Sequence, residues 1–251
     1  MDGQATIDIN ADIGEGWDDA ALVPFVTSVN IACGGHAGDE SSMRTALELA
    51  ARHHLRAGAH PSFPDRAGFG RRSMTMTHDD FCAVIGAQIL ALAALAKSAG
   101  VTLTHVKPHG ALYHSLYTDD SMARAFVRLI SHSLSNSDSP APPMAVVTIH
   151  GGALATWCAD AGIPVWFEGY ADRGYTKAGN LAPRGTKGSL ITDPETAARQ
   201  ALSLADGQPF PTIDGGQVSI PLLQTICIHS DTPGAGAIAK AVAHALRPNP
   251  L

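Results

Sequence analysis

The sequence has few cysteines, and none of them form a metal-binding or redox pattern. Cys33, Cys82, Cys158 and Cys227 are the four cysteines among 251 residues, and no two of them make a C-x-x-C pair. A zinc knuckle and a dithiol redox motif are therefore not indicated. We expect reduced thiols that are mostly buried.

Long apolar runs and basic clusters are also missing. No stretch approaches the roughly 20 apolar residues of a membrane span, and the start MDGQATIDIN has neither the basic nor the apolar region of a signal peptide. We therefore expect a cytoplasmic protein that has no membrane partner. The formal charge of −6 argues against a nucleic-acid partner, because nucleic acid favours a basic surface. A small-molecule substrate is favoured.

Short β-rich runs alternate with longer segments of helical period. Apolar residues spaced i, i+3, i+4 and i+7, such as Met43, Ala46, Leu47 and Ala50, are typical of helices that cover a sheet. This alternation predicts an α/β protein with a parallel sheet, in a single domain over residues 1–251. The predicted strands are Thr6–Ile9, Val29–Ala32, Leu55–Ala59, Leu103–Val106, Ala145–Ile149, Val165–Phe167 and Thr225–Ile228.

Two segments interrupt the alternation. Residues 135–143 form a Ser- and Pro-rich connector, and residues 169–190 form a long loop that is rich in Gly, Lys and Arg. A loop of that length is usually functional, so we expect a lid or binding loop. Its Arg184–Ser189 stretch lacks the spacing of G-x-x-x-x-G-K-[ST], which excludes a P-loop there.

Polar residues follow nearly every predicted strand. Because the carboxyl ends of parallel strands form the site in α/β sheets and barrels, we expect these side chains to meet at one mouth. In chain order they are Asn10, Asp12 and Glu15; His36 and Asp39; His60, Asp65 and Arg66; Lys107 and His109; His150; Glu168, Asp172 and Arg173; and His229, Ser230 and Asp231.

The residue types leave three kinds of function open. Metal-assisted hydrolysis would use a divalent ion held by Asp12, His36, His60 and His109. Metal-free acid–base chemistry would use a carboxylate or an imidazole with Lys107 as its electrostatic partner. The third alternative is a binding module without catalysis.

Lys107 ends an apolar strand directly before Pro108. We expect its amine to point into the mouth and to offset negative charge that develops during a reaction. Since a residue at the mouth lies outside the core, replacing Lys107 or His109 by Ala is expected to lower the rate on the order of 100- to 1,000-fold while lowering stability by about 1 kcal/mol or less.

Six ordered runs resemble the LamB/YcsF family, and the resemblance extends from about Thr6 to Leu246. They are DINADIGEG (8–16), NIACGGHAGD (30–39), GAHPSFPDRAGFGRR (58–72), HVKPHGALY (105–113), ADRGY (171–175) and HSDTPGA (229–235). The runs that begin at Gly58 and His105 are highly specific. One departure is Gly35, which stands where a Phe is usual in the family.

The resemblance implies a seven-stranded (β/α) barrel similar to the glycoside hydrolase/deacetylase superfamily. It also implies ATP-dependent opening of 5-oxo-L-proline to L-glutamate, with ATP as co-substrate and with 5-oxoprolinase subunits B and C as partners. A metal-dependent deacetylase of N-acetyl sugars, by analogy between barrels alone, and a non-catalytic substrate-delivery subunit stay open.

Within this frame, the polar residues divide into two expected roles. The expected catalytic residues are Asp12, Lys107, His109, Glu168 and Arg173, and the expected substrate-binding residues are Asn10, His36, His60, His229 and Asp231.

Overall fold

Seven parallel strands close into a barrel, which confirms the predicted (β/α) barrel. The structure is a computed structural model that describes residues 7–133 and 144–247, without the side chains of residues 132 and 133. The barrel strands are β1 (Asp8–Ile13), β2 (Ser28–Ala32), β3 (Arg56–His60), β4 (Leu103–Val106), β5 (Ala145–Thr148), β6 (Val165–Tyr170) and β9 (Thr225–Ile228). An antiparallel pair, β7 (Phe210–Pro211) and β8 (Gln217–Val218), forms a separate ribbon that the sequence pattern did not predict.

The helices begin where their capping residues predict. Thr77 accepts a hydrogen bond from the backbone of Asp80, and Asp193 accepts one from the backbone of Thr196, so each side chain satisfies a free N–H of a first turn. The helices are α1 (Asp19–Leu22), α2 (Glu40–Arg52), α3 (His78–Ser98), α4 (Gly110–Thr118), α5 (Asp120–Ser133), α6 (Gly152–Asp160), α7 (Pro194–Ala205) and α8 (Ala235–Leu246).

Two strands are longer than their apolar runs predict. β1 continues to Ile13 and β6 continues to Tyr170, so Asn10, Asp12 and Glu168 lie within strands and not after them. Apolar content alone ended these strands too early. A polar side chain is tolerated in a buried strand when it is hydrogen-bonded, as Asn10 is to the hydroxyl of Thr225 at 2.7 Å.

The chain divides into two compact units. The first comprises Met1–Ala11, Trp17–Ser28 and Phe167–Leu251, and within it α7 packs on α8. The second comprises Asp12–Gly16 and Val29–Trp166, and within it β3, β4 and β5 pair side by side while α2 to α6 pack around them. The prediction of a single domain stays a prediction.

Helix α3 differs from the sequence-based expectation about membrane spans. By length and composition alone it is apolar enough to cross a membrane. Its buried residues Phe81, Ile85, Ile89 and Leu92 lie on a helix that contacts α2, α5 and β3. Such contacts are typical of a helix that covers a sheet.

The two irregular segments have different outcomes. The connector at 135–143 lies outside the described residues. The long loop is ordered by two isolated bridges, Arg173 with Leu190 and Tyr175 with Leu181. The buried guanidinium of Arg173 donates to the carbonyls of Ser189 and Ala182, at 3.0 and 2.7 Å. The role of this loop as a lid stays a prediction.

Asp8 joins three barrel strands at their first residues. Its buried carboxylate accepts hydrogen bonds from Ser28 at the start of β2 (2.7 Å), from Thr225 at the start of β9 (2.6 Å), and from Thr27 (2.5 Å). Because a buried hydroxyl costs free energy when its partner is lost, this carboxylate stabilises the strand starts.

We predict that Asp8→Ala lowers the free energy of unfolding by about 3 kcal/mol, since the hydroxyls of Ser28 and Thr225 lose this acceptor. Denaturant unfolding would measure the loss. The control is Glu40→Ala, which removes an exposed ion pair with Arg44 and should cost less than about 0.5 kcal/mol. Equal losses in the two variants would show that Asp8 has no special structural role.

Candidate metal centre

Three histidines and one glutamate converge in the second unit. His36 lies in the loop after β2, His60 is the last residue of β3, His109 precedes α4, and Glu15 lies in the loop after β1. One ligand atom of each lies within 4.8 Å of those of the other three. All four side chains are buried.

Backbone carbonyls determine which nitrogen carries the proton in two of these rings. The Nδ1 atom of His60 lies 2.7 Å from the carbonyl oxygen of Lys107, and the Nε2 atom of His109 lies 3.0 Å from that of Phe69. A carbonyl only accepts, so each of these nitrogens is the protonated one. In the neutral rings, His60 Nε2 and His109 Nδ1 are therefore unprotonated.

The two unprotonated nitrogens face each other. They are 3.0 Å apart, and Glu15 Oε1 lies 3.7 Å from His60 Nε2 and 3.5 Å from His109 Nδ1. Two lone pairs and a carboxylate at these distances repel one another unless a cation lies between them. The arrangement therefore fits a metal ion, with carbonyls orienting the rings behind the ligand atoms.

Protonation of the histidines does not readily replace that cation. Burial, followed by the charges of His60 and His36, holds the pKa of His109 well below its usual range. Burial and the charge of His60 also lower the pKa of His36 to about 2. His36 Nε2 lies 2.8 Å from Glu15 Oε1, and the ring stacks on His109 with centroids 3.7 Å apart. His36 is thereby placed as a fourth candidate ligand.

The donor set suggests the class of ion. Imidazole suits borderline transition ions such as Zn²⁺, Co²⁺, Ni²⁺ and Fe²⁺, whereas Mg²⁺ and Ca²⁺ prefer sites made of oxygen atoms. Three imidazoles and one carboxylate therefore favour a borderline ion.

Asp12, one of the predicted ligands, lies at the edge of the cluster. Its Oδ2 atom is 3.5 Å from His60 Nε2, while its Oδ1 atom accepts from Lys107 Nζ at 3.0 Å and from Asn30 Nδ2 at 2.8 Å. Asn30 Oδ1 in turn lies 2.8 Å from His105 Nε2. Asp12 is thus mainly the partner of a buried ammonium.

Burial changes the expectation for Lys107. The residue is 2% exposed, and it forms an ion pair with the buried carboxylate of Asp12. Removal of one partner of a buried ion pair leaves an uncompensated charge and costs about 3 to 5 kcal/mol. The expectation of almost no stability loss assumed a side chain outside the core, and the burial of Lys107 contradicts that assumption.

The remaining predicted site residues lie in the first unit. Asn10 bonds Thr225, and Glu168 accepts from the Tyr170 hydroxyl at 2.7 Å. His229 pairs with Asp172, and Asp231 pairs with Arg184, whose NH1 lies 3.2 Å from Asp231 Oδ2. The roles assigned to these residues stay predictions.

The sequence-based ligand set left out Glu15. The residue was noted among the polar groups after the first strand, but Asp12 was chosen. A signal was present, because Glu15 stands between Gly14 and Gly16, which have φ values of 75° and 90°. Two such glycines turn the chain sharply and can aim the residue between them.

Gly35, where we expect a departure from the family pattern, directly precedes His36 in the chain. A Cβ atom at position 35 would overlap Ser62 Oγ and would lie 2.5 Å from Gln88 Oε1. Gln88 is held there by its own bonds to the backbone of Ser62, at 3.0 and 2.8 Å. Any side chain at position 35 requires Gln88 or Ser62 to move.

The closed parallel barrel with a buried cluster of histidines and one carboxylate defines a (β/α) barrel protein with a candidate metal centre. The LamB/YcsF family model matches residues 7–250, and the chain belongs to this family.

Relatives match over almost the whole chain. The A subunit of 5-oxoprolinase from Streptomyces griseus is 42% identical over 96% of this chain and 95% of its own length. The A subunit of 5-oxoprolinase from Thermus thermophilus is 41% identical over 96% and 95%. Among solved structures, a lactam utilization protein from Thermus thermophilus matches with a TM-score of 0.87 and 38% identity, over 97% of each chain.

We predict that the metal-free chain binds one equivalent of Co²⁺ and gives visible absorption bands of the bound ion, because the ligand atoms are already oriented. His60→Ala and His109→Ala should each weaken binding by roughly 100-fold or more. Calorimetry and absorption titration measure both effects. The matched control is His114→Ala, an exposed histidine on α4, which should leave affinity unchanged. Undiminished binding by both cluster variants would place the ion elsewhere.

Proposed function

We propose that this chain is the subunit of an ATP-dependent 5-oxoprolinase that opens the lactam ring of 5-oxo-L-proline to give L-glutamate. The observation that carries the proposal is the buried cluster of Glu15, His36, His60 and His109, found in a chain that is about 40% identical to 5-oxoprolinase A subunits. Hydrolysis of an amide needs an activated carbonyl and an activated water, and both are within the chemistry of such a cluster.

A divalent ion bound by Glu15 and the three histidines would supply Lewis acidity, which polarises a carbonyl and makes water nucleophilic near neutral pH. The chain's own contribution includes the ammonium of Lys107, which Asp12 holds at 3.0 Å. A fixed positive charge in a buried site offsets the negative charge that develops on the carbonyl oxygen during attack. Lys107 is proposed to act in this way.

ATP and partner subunits complete the proposal. An unstrained lactam is a stable amide, and phosphorylation of its oxygen makes the ring carbon easier to attack. The sequence contains no P-loop, so we propose that ATP serves as co-substrate in a complex with 5-oxoprolinase subunits B and C. A cytoplasmic location stays a prediction.

We predict that the isolated chain releases little glutamate from 5-oxo-L-proline and ATP, and that addition of subunits B and C raises the rate at least about 100-fold, the scale of one missing catalytic group. A coupled glutamate-release assay measures both rates. Chelation should abolish the activity, and Co²⁺ or Zn²⁺ should restore it. Glutamate release that survives complete metal removal would separate the cluster from catalysis. Release of acetate from an N-acetyl sugar, with 5-oxoproline untouched, would favour a deacetylase.

A second prediction separates the charge of Lys107 from its structural role. Lys107→Met alone should both destabilise the chain by about 3 to 5 kcal/mol and lower kcat by roughly 100- to 1,000-fold. Asp12→Asn together with Lys107→Met should regain stability, because no unpaired charge remains and Asn at position 12 still accepts from Asn30.

The double variant decides the matter. If it is stable and inactive, the charged pair of Asp12 and Lys107 acts in catalysis. If it recovers activity together with its melting temperature, Lys107 acts only through folding. His109→Asn serves as the comparison, since it should lose activity by losing a metal ligand.

A further inference from the structure

We propose that His229 is an acid–base catalytic residue of the ring-opening reaction and that Asp172 positions its imidazole. This inference rests on the proposed function. It goes beyond the expectation that His229 binds substrate, since it assigns to one nitrogen of the ring the transfer of a proton.

Asp172 is the centre of a closely bonded group in the first unit. It follows β6 and is fully buried, and its Oδ2 atom accepts from the backbone N–H of His229 at 3.1 Å and from the hydroxyl of Thr232 at 2.5 Å. Both carboxylate oxygens lie 3.1 Å from His229 Nδ1. Although burial raises it, the pKa of Asp172 is lowered overall by the charge of His229 and by the hydrogen bonds from His229 and Thr232.

These contacts determine the tautomer of His229. An ionised carboxylate only accepts, so the Nδ1 atom carries a proton and the Nε2 atom is the one that can exchange a proton with a ligand. The side chain is 15% exposed, and among residues 7–133 and 144–247 no group bonds its Nε2 atom. The reactive nitrogen is therefore held in a defined direction and is open to a ligand.

The ring plane is fixed as well. Tyr170 stacks on His229 with centroids 5.3 Å apart and planes inclined by 10°, and the Tyr170 hydroxyl bonds Glu168 at 2.7 Å. An imidazole held by a carboxylate at one nitrogen and by an aromatic face has little freedom to rotate. Such preorganisation favours proton transfer at the other nitrogen.

A purely structural role accounts for less of this arrangement. Asp172 already ties the loop after β9 through the backbone of His229 and the hydroxyl of Thr232. The loop is thus held by bonds that do not involve the imidazole ring. The unbonded Nε2 atom adds nothing to folding, whereas ring opening requires a group of its kind.

The chemistry specifies what the ring would do. Water adds its oxygen to the ring carbon whose oxygen carries the phosphoryl group, the bond between that carbon and the ring nitrogen breaks, and the nitrogen leaves as an amine. The phosphoryl group stays on the new carboxyl group as an acyl phosphate, and a second water releases it as phosphate to give glutamate. The nitrogen must gain a proton, because an amide anion is a very poor leaving group. Protonated His229 donates that proton from Nε2, and the proton released by water restores it, so the ring and its Asp172 partner end unchanged.

The test uses two variants of His229 in the complete complex with subunits B and C, with 5-oxo-L-proline and ATP. His229→Asn retains an N–H near the Nδ1 position, so Asp172 keeps its donor while Nε2 is lost. We expect kcat to fall by roughly 100- to 10,000-fold, with KM changed less than about threefold and an unaltered melting temperature. His229→Gln, which places its amide nearer to Nε2, should be equally slow. His244→Gln, an exposed histidine on α8, is the matched control and should retain full activity.

Asp172 needs a readout that a structural role would not change. In the isolated chain, ¹⁵N chemical shifts of the His229 ring should report a proton on Nδ1. Asp172→Asn should shift the proton to Nε2, because the new amide can donate to Nδ1, and kcat should fall while KM stays near its original value.

The outcomes separate the two proposals. If the wild-type complex opens the lactam and both His229 variants keep kcat within about threefold, the acid–base role is overturned while the proposed function stands. A rise in KM with unchanged kcat would overturn it equally, because His229 would then only bind substrate. A wild-type ring that carries its proton on Nε2 and none on Nδ1 would contradict the geometry. If the wild-type complex releases no glutamate, the proposed function itself fails.

Discussion

The carbonyl groups of Lys107 and Phe69 constrain the chemistry of the whole histidine cluster. Each accepts a hydrogen bond from the outer nitrogen of a histidine, which keeps the proton on that nitrogen and leaves the inner nitrogen unprotonated. Without these two bonds the rings of His60 and His109 could share a proton and form an ordinary hydrogen bond. With them, lone pairs meet at 3.0 Å beside a carboxylate, and a cation is what removes the repulsion.

The same strand end serves two purposes. Lys107 offers its carbonyl to His60 and its ammonium to Asp12, so the backbone atom orients a ligand while the side chain places a buried positive charge. Asn30 also donates a hydrogen bond to the carboxylate of Asp12, and it contacts His105 of β4, the strand that Lys107 follows. Such a network is rigid because each member has a partner, and rigidity lets charged groups act without reorganising during a reaction.

The first unit shows a second use of a buried carboxylate. Asp172 accepts from a backbone N–H, a hydroxyl and an imidazole. In both units a buried acid thus fixes the state of the residue beside it. At Asp12 the fixed state is a charge, and at Asp172 it is a tautomer.

The sequence by itself determined much of the scaffold. Alternating β-rich and helical periods predicted all seven barrel strands, and Thr77 and Asp193 predicted two helix starts, because periodicity and capping depend on neighbours within a few residues. It also indicated that polar residues gather near strand ends. The predicted ends of β1 and β6 came too early. In β1, the hydrogen bond from Asn10 to Thr225 in β9 allows a polar residue to lie inside the strand, and a local sequence pattern cannot show this bond.

Only the tertiary structure decided the chemistry of the sites. The choice of Glu15 beside the histidines depends on where a loop after β1 passes, and the tautomers depend on carbonyls that lie 47 and 40 residues away in the chain. Likewise Asp172 meets His229 across 57 residues. A backbone carbonyl has no residue-specific signature, so the sequence cannot show which one an imidazole will meet. Folding alone brings these partners within hydrogen-bonding distance and so determines which nitrogen of each ring is free to react.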